Sequence, residues 1–187
     1  METVPQEHTP TEPVSADPYY DELNRLFNLY RLANLNARYY GIRAERFEWR
    51  NKAALLATAA LSMLALALIL VADPSNTLAR NWAATFAGAA AFISGVTPFF
   101  GWTDRVRDLR NLHFAYGQLF GQAEFAITEI RRAGKLSAEH VGLARMVQEG
   151  YILIETRDEL EPDRKLVDQE DAKVRKAFPD DYLWTNF

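Results

Sequence analysis

A chain of 187 residues without a single cysteine excludes disulfides, thiol nucleophiles, iron–sulfur clusters and cysteine zinc sites. The formal net charge of −4 hides a segregation: residues 1–22 hold six acids and no base, 23–52 hold seven bases against two acids, and 104–187 hold 13 bases and 16 acids. Between the basic block and the C-terminal part lies a very apolar middle that the overall composition averages away.

Residues 1–16 carry Pro5, Pro10 and Pro13 among acids, Thr and Ser. Such a segment buries too little apolar surface to offset its ordering entropy and reads as a disordered acidic tail. Asp17-Pro18 reads as a helix N-cap with proline at the first helical position. Residues 17–52 then predict one amphipathic helix on the cytoplasmic side. Leu23, Leu26, Tyr30, Ala33, Ala37, Tyr40, Ala44 and Phe47 recur at alternating spacings of 3 and 4, as a packed helix seam requires.

Two uncharged stretches follow, 53–72 and 81–103, with the turn 73–80 between them. As helices both are long enough to cross a hydrocarbon core of about 30 Å. The first is apolar on every side, which leaves no solvent-facing stripe for a soluble amphipathic helix. It begins too deep in the chain and is too long for a signal peptide. Arg38, Arg43, Arg46, Arg50 and Lys52 precede the pair, Arg105, Arg107 and Arg110 follow it, and the turn holds only Arg80. The positive-inside rule therefore predicts both termini in the cytoplasm and an external turn. These membrane-proximal bases favour anionic lipid head groups by about 1 kcal/mol each, a better use for them than nucleic acid.

The two stretches are built differently. On a helical wheel the second places Ala84, Gly88, Ala91, Ser94, Gly95, Thr97 and Pro98 on a small-residue half and Phe86, Phe92, Ile93, Val96, Phe99 and Phe100 on a bulky half. Small residues permit the close backbone approach on which helix packing in lipid relies. That half serves either packing within the hairpin or self-association of several copies. Pro98 is either a tolerated proline or a hinge towards the following helix. Trp82 and Trp102 suit interfacial anchors.

After residue 104 the seam spacing returns in Val106, Leu109, His113, Tyr116, Phe120, Ala123, Ile127 and Ile130. Gly134 predicts the end of that helix, and Ser137 caps the next, whose apolar face is Val141, Ala144, Val147, Tyr151 and Ile154. Glu161-Pro162 breaks the pattern before a short charged helix over 163–177. The carboxylates between 155 and 171 read as a solvated face, and His113 as a packed seam histidine or a pH-sensitive contact. The aromatic C-terminal tail, 179–187, reads as a segment that docks on its own bundle or on a partner.

No Asp, Glu, Lys, Arg or His lies in either apolar stretch, which disfavours proton relays, ion-coupled transport and voltage sensing. Nucleotide, zincin and nucleophile-elbow motifs are absent from the sequence, so no catalytic, cofactor-binding or metal-ligating residue is assigned. The expected fold is an all-α membrane protein: a two-helix transmembrane hairpin whose long cytoplasmic extensions form a helical bundle over 104–178 and 17–52.

A Tyr/Arg-rich helix (LYRLANLNARYYGIRAERFEWRNK), two close spans and a long aromatic and basic helix (DRVRDLRNLHFAYGQLFGQAEF) together resemble the SLATT family over about residues 19–160. These are two-transmembrane effector domains associated with nucleotide-second-messenger synthases and SLOG sensors in bacterial conflict systems. The resemblance implies a non-enzymatic effector that forms pores or disrupts the inner membrane and answers a separate sensor protein; the small-residue half of the second stretch adds the expectation of a homo-oligomer. The competing expectation is a membrane-anchored scaffold whose bundle recruits a partner.

Overall fold

The computed structural model describes residues 20–71, 76–134, 137–156 and 162–179. The acidic tail, the Asp17-Pro18 cap, residues 73–75 of the turn, Glu161 of the expected break and residues 180–187 lie outside them. The described chain forms α1 (Tyr20–Val71), α2 (Thr77–Val96), a 3-10 turn (Thr97–Phe100), α3 (Trp102–Ala133), α4 (Ala138–Glu155) and α5 (Arg164–Ala177). All regular structure among the described residues is helical.

Helix α1 runs unbroken for 52 residues, about 78 Å at 1.5 Å per residue. Its seam does not stop at Phe47. The same spacing continues through Asn51, Ala54, Thr58, Leu61, Ala65 and Leu68, and each of these is buried or half-buried. Their neighbours Leu55, Leu56, Met63, Leu64, Leu66, Ile69 and Leu70 are exposed. A single face therefore carries α1 from its polar half into its apolar half.

The return path answers that seam in two pieces. In α2 the covered face is Ala79, Ala83, Phe86, Ala90 and Ile93, continued by Thr97 of the 3-10 turn. In α3 it is Trp102, Val106, Leu109, Tyr116, Phe120, Ala123, Ile127 and Ile130. From Thr97 to Trp102 the step is five residues, so one continuous α-helix would turn the face of α3 away from α1. The 3-10 turn winds more tightly than α-helix, and Gly101 sits in the left-handed region at φ 57°, a conformation that glycine adopts without a Cβ clash. Its N–H donates to the Pro98 carbonyl at 3.1 Å. This segment resets the register.

Both ends of the second apolar helix differ from the sequence expectation. It starts at Thr77 rather than 81, because the Asn76 side chain accepts from the Ala79 N–H at 3.2 Å and caps it. It stops as α-helix at Val96, so Pro98 sits in the 3-10 turn rather than inside a continuous helix.

The polar halves of α1 and α3 build the core with α4 and α5. Tyr40 stacks on Tyr116 at 5.6 Å and Tyr30 on Phe120 at 4.7 Å. Tyr116, at 1% exposure, also meets Tyr151 of α4. Gly150 lets α4 approach α3, since a Cβ there would lie 3.0 Å from a Leu119 methyl. The apolar half of α1 and the run from α2 into α3 are different: of the most apolar window in each, only 6% and 11% is buried. A soluble protein's core helix would be mostly covered. These two helices are long and apolar enough to span a membrane and leave a wide apolar surface open.

Tyr116→Ala should lower stability by about 3–5 kcal/mol through loss of aromatic packing and a cavity. Phe114→Ala, whose ring is exposed two residues away on the opposite face, should change little. Thermal unfolding of the two purified variants measures the difference; equal shifts would contradict this core.

Candidate membrane-boundary site

The eight bases singled out in the sequence lie where the polar half of α1 meets its apolar half, and the structure sorts them into three groups. On one side of the α1–α3 seam Glu48 accepts from Lys52 Nζ at 2.7 Å and is paired with Arg110 of α3. The hydrogen bonds from Lys52 and Arg110 hold its carboxyl below the usual carboxylate range. Arg107 is paired with Asp104 at 3.2 Å.

On the other side, Arg50 of α1 and Arg105 of α3 both lie over the ring of Phe47, their Cζ atoms 5.4 and 5.8 Å from its centroid. Neither has a carboxylate within ion-pair distance among the described residues.

The third group receives α5. Arg38 Nε donates to Glu170 Oε2 at 2.9 Å, and Lys173 Nζ donates to the other carboxylate oxygen at 2.5 Å. Arg46 pairs with Asp163 at 3.4 Å. Asp163 also caps α5 by accepting from the Leu166 N–H, and its own N–H donates to the Tyr39 hydroxyl at 2.8 Å. The same hydroxyl accepts from Arg43 at 2.8 Å. Glu170 is 1% exposed, so the reading of the 155–171 carboxylates as a solvated face is wrong for this one. Burial pushes its carboxyl up, but hydrogen bonds from Lys173 and Arg38 outweigh that and leave it below the usual range. The α5 clamp escaped the sequence reading: 132 residues separate Arg38 from Glu170, and no local pattern announces such a pair.

His113 is exposed, at the edge of the α3 seam and not packed within it as the 3–4 spacing predicted, and its Nδ1–H donates to the Ala37 carbonyl of α1 at 2.7 Å. Gly41 makes this approach possible, because a Cβ there would stand 3.1 Å from the same nitrogen.

Farther up, the small half of α2 is divided. Ala83 and Ala90 are buried and Thr97 half-buried, whereas Ala84, Gly88, Ala91, Ser94, Gly95 and Pro98 are exposed. A Cβ at Gly88 or Gly95 would meet nothing within 4 Å. Ser94 and Ala91 border, with Thr58, Ser62 and Ala65 of α1, an open groove of about 460 Å³. A second, apolar groove of about 550 Å³ lies between α3 and α4 beside Gly121, Phe125, Leu143 and Met146. No group of three or more His, Cys, Asp or Glu side chains among the described residues is placed to hold a metal ion. No protein-family model, curated protein or solved structure matches this chain.

A depressed carboxyl contributes stability that is complete above its ordinary value of 4.5 and is lost as pH falls through the lower folded-state value. A nitroxide on Ala172→Cys, on the exposed side of α5, should therefore gain mobility as pH drops below 4.5. In the Glu170→Gln background that acid step should disappear; an unchanged step would assign it to another group.

Proposed function

We propose that the protein is a non-enzymatic, two-span membrane effector, pore-forming or membrane-disrupting, that acts in bacterial antiphage defence when a separate sensor triggers it. The observation that carries this reading is the unbroken α1 seam, which joins the bundle to the apolar segment without a flexible joint. A rearrangement of helices in the bundle is transmitted along such a rod to the apolar pair. In this reading the apolar helices cross the inner membrane with both termini in the cytoplasm, and the outer strip of Ala84, Gly88, Ala91 and Gly95 meets further copies in a homo-oligomer. Small-residue strips let helix backbones approach in lipid. A pore so lined holds no charged side chain, and it closes by dewetting.

The α3–α4 groove favours a second reading, a membrane scaffold whose bundle recruits a partner protein. Replacing the apolar pair with unrelated spans separates the two: a scaffold keeps its function and a pore loses it.

Inducible expression with potential-sensitive and permeability dyes tests the effector directly. Triggered cells should depolarise and stop growing, and Gly88→Leu with Gly95→Leu should abolish both effects while the protein stays in the membrane. Well-expressed protein that leaves potential and viability intact with its trigger present would end this reading.

A further inference from the structure

The eight boundary bases are not equivalent. Lys52 and Arg110 share Glu48, Arg107 is closed by Asp104, and Arg46 by Asp163. Arg50 and Arg105 come from different helices, share one aromatic ring and have no acid partner among the described residues. Their Cζ atoms lie 5.4 and 5.8 Å from the Phe47 centroid, which bounds their separation at about 11 Å. Stacking on an aromatic face orients a guanidinium while its N–H fork stays free for an oxyanion. Two like charges held together without a counter-charge raise the local positive potential and favour an anion.

Arg50 stands three residues before Ala53, and Arg105 two residues after Thr103, so both flank the apolar stretches. Exposed Trp49 and the stacked Phe100–Trp102 pair supply an apolar border. The nearest acids point elsewhere: Glu48 binds Lys52 and Arg110 across the seam, while Asp104 and Asp108 face Arg107.

We propose that Arg50 and Arg105, oriented on Phe47, form a discrete binding site for the phosphodiester of an anionic lipid head group. The proposal rests on the membrane reading above. It differs from general attraction to a charged surface by naming which two of the eight bases bind. The acylated ligand is favoured over free phosphate because the site opens beside apolar surface, where the chains of a lipid lie. Arginine suits the role by its bidentate match to phosphate oxygens.

The test uses the full chain purified in neutral detergent, with bound phosphatidylglycerol or phosphatidylcholine counted by native mass spectrometry. Phosphatidylglycerol should be retained in preference to phosphatidylcholine. Arg50→Gln with Arg105→Gln should weaken that retention about thirtyfold, from about 1 kcal/mol per base. Arg107→Gln with Arg110→Gln should leave it within about twofold, as expected for bases already closed by acids. Equal losses in the two double variants, or no preference for phosphatidylglycerol, would overturn the site. Displacement by millimolar inorganic phosphate would overturn the lipid assignment in favour of a free-anion site. Carbonate extraction of membranes keeps the two levels apart: wild-type protein released by carbonate refutes the membrane reading, whereas retained protein without lipid preference refutes the site alone.

Discussion

A helix seam with a 3.5-residue repeat holds only while the side chains along it have a partner surface, and α1 keeps one from Leu23 to Leu68. The residues on that seam change character along the way. In the polar half they include Leu26, Tyr30, Tyr40 and Phe47, large groups whose burial from water drives association. In the apolar half Ala54, Thr58 and Ala65, which let the helices approach, alternate with Leu61 and Leu68. The change falls at Asn51, the one amide on the seam, and a polar residue at such a position fixes register at some cost in stability.

The rest of the architecture follows from keeping this face covered. The chain returning through α2 and α3 has to present two faces that are out of phase, and Thr97–Gly101 corrects the phase. Thr97 Oγ1 bonds back to the Ile93 carbonyl at 2.6 Å as α2 closes, and Gly101 opens α3 from the left-handed region. His113 and Gly41 mark a close crossing in the bundle, and the Arg38–Glu170 and Arg46–Asp163 pairs fasten α5 to the polar half of α1 just before its apolar half begins. Charges that remain open at the boundary are those of Arg50 and Arg105.

Much of this was legible in the sequence because it is local. The 3–4 spacing of Leu23 to Phe47 and of Val106 to Ile130 reads directly as seam, and Gly134 and Ser137 read as helix ends. Each has its structural counterpart: Gly134 at φ 63° and Ser137 in a capping box with His140. The continuation of the seam through Ala54, Thr58, Leu61, Ala65 and Leu68 was not legible, because apolar residues surround it on all sides and periodicity vanishes where polarity does not vary. The start of α2 at Thr77 turned on one Asn76 side chain, and the reset at Gly101 on a register mismatch between two distant segments. The pairing of Arg38 with Glu170 is purely tertiary.

The central claim is that α1 is one rigid rod through its polar and apolar halves, and a distance measures it. The native chain has no cysteine, so Leu32→Cys and Met63→Cys, both at exposed positions of α1, take two nitroxides cleanly. In lipid vesicles, double electron–electron resonance should give a narrow distribution near about 46 Å, the rise of 31 helical residues. A broad distribution, or one centred below about 40 Å, would show a joint between bundle and apolar segment and contradict the account.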